Sequence, residues 1–254
     1  MAVSCGRRVQ ALWCSEEKAN AWVWIESAGW RKLDNRNNDA CTNLLRVAAR
    51  AKSSDRLISI EEEMRGDDWV ITEIYDFNTG PSHSAQEISF NVAECTFGWT
   101  AAFRQEGTNI VVRIRLDPDG DVTASKLNEV KKRWKKGIEK KWGYRFACCE
   151  RPGCTRPCTL TFVVRWVDSS EHHRVRVIKG SGRSNMTTWY SNDSGDVASH
   201  EFGHMLGHPD EYTDPDCPLR KPVDTGTVMD DNTQVVQRLC QPFCDRLSQD
   251  TRSA

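Results

Sequence analysis

The chain has 254 residues, 38% of them hydrophobic and 28% charged, with a formal net charge of −1. That length suits at most two ordinary domains of roughly 100 to 200 residues each, and the near-neutral balance supplies no general pull toward nucleic acid or an anionic membrane. The longest apolar runs, residues 21–25 and 160–164, are strand-sized and far below the roughly 20 residues of a membrane-spanning helix.

The opening Met1-Ala2-Val3-Ser4-Cys5-Gly6-Arg7-Arg8 lacks the apolar core of a secretory signal, so the expectation is a cytoplasmic protein or one released by a route that needs no signal. Eleven cysteines pull the other way, toward the disulfide frameworks of exported proteins. The count is odd, so at least one thiol stays free or pairs between chains.

Residues 1–78 read as a small α+β domain. Segments 9–13, 21–25, 57–61 and 69–75 are strand-like, and 39–51 is predicted as a helix that packs through Leu44, Leu45, Val47 and Ala48. Trp22 and Trp24 share one strand face with Val23 and Ile25 opposite, so burial of both faces is expected; exposure would instead offer rings, with Trp30 nearby, for an unknown sugar or protein ligand. Turn residues between 76 and 86 mark a boundary, and 79–90 is expected as a linker.

Beyond it, 99–104 and 109–116 look like paired strands, the second alternating Ile110, Val112, Ile114 and Leu116 with polar residues. Ala124–Trp142 is predicted as a helix: Leu127, Val130, Trp134, Ile138 and Trp142 form one apolar stripe, and lysines and Arg133 cover the rest as a solvated face. Residues 159–167 and 172–178 are predicted as a hairpin across 168–171, with His172 and His173 as surface or packing residues, and 186–190 as a short strand. Cys148, Cys149, Cys154 and Cys158 lack paired C-x-x-C spacing, which favours bridges or free thiols over a second zinc site. Cys217, Cys240 and Cys244 are expected to tie the loop after residue 210 to a last helix, predicted at 233–247.

The chemistry concentrates in His200-Glu201-Phe202-Gly203-His204-Met205-Leu206-Gly207-His208-Pro209-Asp210. Residues four apart on a helix share a face about 6 Å apart along the axis, so the imidazoles of His200 and His204 can converge on one cation. Glu201 then lies beside it, where a general base can reach a water. Asp193, Ser194 and Asp196 suit the helix start. Three residues compete for the third ligand: His208, Asp210 and Glu211. On a straight helix His208 would lie about 12 Å beyond His200, so the chain must turn; Gly207 and Pro209 provide that turn, after which Asp210 is best placed to swing back.

This pattern, His-Glu-x-x-His-x-x-Gly-x-x-Asp, resembles the metzincin zinc metallopeptidases, with aspartate in the third ligand position as in the snapalysin type. The resemblance spans residues 90–250. It implies a twisted mixed sheet with packed helices, one catalytic Zn²⁺ held by His200, His204 and Asp210, Glu201 as general base, and Met229 of Thr227-Val228-Met229-Asp230 as the methionine turn. It also implies an edge strand before the zinc helix, at 184–190 with Asn185, Thr187 and Trp189, for an extended protein or peptide substrate. Where some metzincins carry a tyrosine two residues after that methionine, this chain has Asp231, which leaves Tyr212 and Tyr190 as candidates for a transition-state role. Residues 91–254 are thus expected to form a zinc endopeptidase domain, the alternative being an inactive binding module of the same fold with a structural zinc. No nucleic-acid partner and no membrane span are expected.

Overall fold

The computed structural model describes residues 2–26, 28–75, 85–148 and 157–250. Its elements are β1 (Ala2–Arg7), β2 (Val9–Cys14), β3 (Ala21–Ile25), β4 (Gly29–Leu33), α1 (Asn38–Ser53), β5 (Ile58–Arg65), β6 (Asp68–Tyr75), β7 (Gln86–Glu94), β8 (Phe97–Glu106), β9 (Asn109–Pro118) and α2 (Ala124–Trp142). There follow β10 (Ala147–Cys148), β11 (Cys158–Thr159), β12 (Thr161–Trp166), β13 (His173–Ile178), β14 (Thr188–Tyr190), α3 (Gly195–Met205) and α4 (Gln237–Asp250). The fold is α+β, in two compact units: Met1–Ser84 with Tyr144–Leu160 and Phe243–Ala254, and Ala85–Gly143 with Thr161–Pro242. None of the described helices is long and apolar enough to cross a membrane.

In the first unit six strands run in the order β1-β5-β6-β4-β3-β2. The side chain of Asn37 accepts from Ala40 N at 2.7 Å and starts α1, the usual way an orphan N-terminal amide is satisfied. Cys41, Ala48 and Ala51 of α1 are buried with Val23, Ile25, Leu33, Ile58, Ile60 and Ile71 of the sheet. The expected helix and four strands are present, and β1 and β4 are additional. The tryptophans depart from expectation. Val23 and Ile25 enter the core, but Trp13, Trp24 and Trp30 are exposed, because α1 covers one face of a sheet whose other face carries Trp24 edge-on to Trp30 and Lys32 Nζ 5.5 Å above Trp22.

Residues 144–160 and 243–254, assigned by sequence to the second domain, belong to this first unit. The reasons are polar and covalent: Val3 N donates to Thr159 Oγ1 at 2.8 Å, Arg31 Nη2 donates to Tyr144 Oη at 2.7 Å, Trp69 and Tyr144 pack at 4.1 Å, and Cys148 is bonded to Cys244. Cys158 is also disulfide-bonded; Cys149 and Cys154 lie outside the described residues. Cys240 is a buried free thiol, and Cys217 pairs with Cys95 rather than with the last helix.

The second unit corrects three expectations. From Gln86 onward the expected linker is strand: Ile88, Phe90 and Val92 stand opposite Phe103, Ala101 and Trp99 in the β7–β8 ladder. Residues 161–178 form no hairpin, since β12 and β13 both pair in parallel with β9, β12 along Asn109 to Ile114 and β13 along Ile114 to Pro118. Val167 N donates to Ile114 O and His172 N to Arg113 O. Successive carbonyls of a strand point to opposite edges, so the connection crosses over β9 and sets the two strands on either side of it. The strand before α3 is confined to Thr188–Tyr190; Asn185 and Thr187 lie in the tight turn that bridges Asn185 to Thr188.

Helix α2 follows its sequence stripe. Thr123 Oγ1 accepts from Lys126 N to cap it, and Val130, Trp134, Ile138 and Trp142 are buried. The tryptophans also carry polar handles: Trp134 Nε1 donates to Asp193 O and Trp142 Nε1 to Ser199 O, at 3.0 and 2.9 Å. A Cβ on Gly137 would overlap Gly195 Cα. Glycine at both positions therefore lets the first turn of α3 press against α2, and these contacts fix where the helix bearing His200 begins.

Candidate metal centre

Ser194 caps α3, its Oγ accepting from Asp196 N and Val197 N at 3.2 Å. The helix presents His200 and His204 on one face, with ring centroids 4.9 Å apart and planes at 79°. The helix closes through Leu206 N to Phe202 O and Gly203 O, then His208 N to Gly203 O. Gly207 has φ +98°, which frees the chain from the helix. A Cβ there would also approach Phe90 Cζ to 2.5 Å, so this turn needs glycine for both conformation and space.

After the turn Asp210 swings back. Its Oδ1 lies 3.1 Å from His200 Nε2 and 3.2 Å from His204 Nε2, and the three ligand atoms lie within 4.8 Å of one another. The far nitrogens are committed: His200 Nδ1 donates to Val228 O and His204 Nδ1 to His208 O, each at 2.8 Å. With Nδ1 of each ring engaged by a carbonyl, Nε2 is the nitrogen left to face Asp210 Oδ1, hydrogen-bonding it when protonated and free to ligate a metal once that proton is lost. Two neutral nitrogens and one carboxylate oxygen suit a borderline cation such as zinc. The residues present therefore fit the ion that the sequence pattern implies.

The electrostatics agree. Burial opposes protonation of His200, but its hydrogen bond with Asp210 and the charges of Glu201 and Asp210 outweigh this and raise its pKa above the ordinary value. Burial likewise works against an ionised Asp210, yet hydrogen bonds from His200 and His204 hold it far below the usual carboxylate range. The Asp210 carboxylate is thus held as an anion at a spot a cation could take. Glu201 is 5% exposed, its pKa is raised chiefly by burial, and its Oε2 has no hydrogen-bond partner among the described residues.

The two rival third ligands have other work. The ring of His208 is buried and stacks on Trp142 at 5.5 Å and 16°, and burial pushes its pKa down to about 4. Glu211 accepts from Arg238, Thr225 Oγ1 and Thr227 Oγ1, and its backbone N donates to Met229 O at 2.8 Å. Met229 is fully buried with its sulfur against Gly203, where a Cβ would overlap it. Residues 227–230, expected as the methionine turn, thus bring Met229 against α3 at Gly203, which lies between the two histidines in sequence.

Of the expected substrate strand, β14 is the edge of its sheet, paired in parallel with β13, but Trp189 is buried against Trp134. Tyr212 hydrogen-bonds Asp210 and lies 3.4 Å from Arg183 Nη2; Tyr190 lies in β14, its backbone N donating to Asp193 Oδ2. Trp99, Arg220 and Glu94 were not singled out by sequence. Trp99 Nε1 donates to His204 O at 2.8 Å, and its ring stands edge-on to His204; Arg220 pairs with Glu94 near Asp210. Their only sequence signal is a polar or aromatic residue in a remote strand or loop.

No protein-family model, curated protein or solved structure matches this chain.

Proposed function

We propose that the protein is a zinc-dependent endopeptidase in which His200, His204 and Asp210 hold the metal and Glu201 is the general base. The observation that carries this reading is the meeting of His200 Nε2, His204 Nε2 and Asp210 Oδ1, with both Nδ1 atoms locked by carbonyls. The metzincin-like motif and Met229 under the helix support it. Zinc, when bound, supplies Lewis acidity to the scissile carbonyl and to the attacking water.

The remaining steps fall to the chain. Glu201 takes the proton of the attacking water and hands it to the leaving amine. Its burial suits the first transfer, because a carboxylate with a raised pKa is a stronger base toward the water, and a pKa nearer the operating pH keeps the return of the proton to the amine accessible. The outer edge of β14 is closed by the chain itself, Thr188 N and O pairing with Asn185 and Tyr190 N and O with Asp193, so a peptide that adds there as a strand must first displace these bonds. The protein or peptide substrate of this reading rests on the likeness of the motif to the metzincins.

The test is hydrolysis of quenched peptides by zinc-loaded protein. The reading requires activity that a chelator removes, that zinc restores, and that Glu201→Gln lacks while retaining its metal.

A further inference from the structure

The two histidine ligands owe their positions to helix geometry, but Asp210 does not. It stands in a stretch without regular secondary structure, between the ends of α3 and α4, and its carboxylate needs a support from elsewhere. The Tyr212 hydroxyl also reaches this carboxylate, and the two oxygens of Asp210 otherwise have different surroundings. Oδ1 faces the imidazoles at 3.1 and 3.2 Å, whereas Oδ2 faces Arg220 Nη2 at 3.7 Å, an ion-pair contact rather than a hydrogen bond.

Arg220 is built to stay where it is. Its side chain is 2% exposed; Nε and Nη2 fork onto Glu94 Oε1 and Oε2 at 2.8 and 3.1 Å, and Nη1 donates to Tyr212 O at 3.0 Å. The guanidinium also lies 4.7 Å over the ring of Tyr212 and 3.6 Å from Asp214 Oδ2. At the backbone, Arg220 N donates to Cys217 O, and Cys217 is bonded to Cys95, the neighbour of Glu94. One ion pair and one disulfide therefore tie the loop that follows Asp210 to the end of β7. A guanidinium suits this task because its planar fork holds several acceptors in fixed directions, which an ammonium cannot do.

A cation next to a ligand carboxylate also competes with the metal for it. Here the competition is weak, because the charge of Arg220 is already spread over Glu94, to which it is bidentate, and over Asp214. Geometry therefore outweighs charge. Resting on the metal-site reading above, we propose that Arg220 is the positioning residue that draws Oδ2 of Asp210 aside and leaves Oδ1 alone to face the two imidazoles, with Glu94 as its anchor. Outer partners of metal ligands commonly change affinity by about 10- to 100-fold, and that is the range expected here.

The experiment measures zinc affinity by chelator competition, and the visible spectrum of the cobalt-substituted protein, for the parent chain, Arg220→Lys, Glu94→Gln and His200→Ala. Lysine keeps the charge but loses the fork, so Arg220→Lys should retain the near-ultraviolet circular dichroism of the parent, bind zinc about 10- to 100-fold more weakly and shift the cobalt bands. Should it lose its fold, Glu94→Gln, which keeps Arg220 and loosens its anchor, carries the same direction with a smaller loss. Parent-like affinity and spectrum in both folded variants would overturn the positioning role while leaving the metal site intact. A parent chain that binds zinc no better than His200→Ala would instead overturn the metal site and this inference with it.

Discussion

The carboxylate of Glu211 is gripped by the guanidinium of Arg238, with Nη2 at 2.5 Å from Oε2. Adjacent acids on the chain, Asp210 and Glu211, thereby divide their duties: one faces the imidazoles, and the other pins the loop that carries Met229 through Thr225 and Thr227. Glu211→Gln weakens a buried, charge-assisted network and should cost on the order of 1–3 kcal/mol in urea unfolding. Its zinc affinity should fall far less than that of Asp210→Ala. Equal loss of metal in the two variants would show that the duties are shared.

Gly203 and Met229 test the floor of the site. A methyl at 203 would overlap the sulfur of Met229, so Gly203→Ala should destabilise by about 1–3 kcal/mol through overpacking. Shortening the methionine makes room. In a double-mutant cycle with Met229→Ala the two effects should be clearly non-additive, the second change recovering part of the first. Strict additivity would place the methionine elsewhere.

His208 lies within the motif but packs against Trp142. His208→Ala should lower stability by about 1–3 kcal/mol and keep one zinc per chain in metal analysis of dialysed protein, whereas Asp210→Ala should lose it. The reverse pattern would reassign the third ligand.

His173 is a buried histidine on β13, its Nε2 donating to Ala102 O at 2.9 Å. Burial pushes its pKa down to about 4 from an ordinary value of 6.5. Between these values the unfolded chain binds more protons than the folded one, so this group makes stability fall as pH drops from 6.5 toward 4 and adds no further slope below. The contribution is at most about 3 kcal/mol. Urea unfolding at a series of pH values should show a shallower decline in His173→Gln; an unchanged slope would mean that His173 titrates normally.

What the sequence reveals is what short-range geometry controls. His200, Glu201 and His204 follow from helix spacing, Gly207 from its turn, and α2 from its apolar stripe; each depends on residues within a few positions. The rest depends on pairing across distance. Alternation in residues 161–178 marks two strands truly, but nothing local says that both flank β9, because a parallel neighbour leaves no turn signature. The bond from Cys95 to Cys217 and the ion pair of Glu94 with Arg220 join segments more than a hundred residues apart, and they surround Asp210 without belonging to its motif. The exposed tryptophans escape local reading for a related reason: two apolar faces on β3 invite burial, but among the described residues a single helix covers only one side of that sheet.

Peptide hydrolysis is the activity that a zinc endopeptidase must show. The direct measurement is cleavage of a diverse peptide library by the zinc-loaded chain beside Glu201→Gln, with every cut mapped by mass spectrometry. Cuts made by the parent alone, at a repeatable subset of sequences, are the predicted result. A parent that carries one zinc per chain and cuts nothing would contradict it and leave a metal-bearing binding module in place of an enzyme.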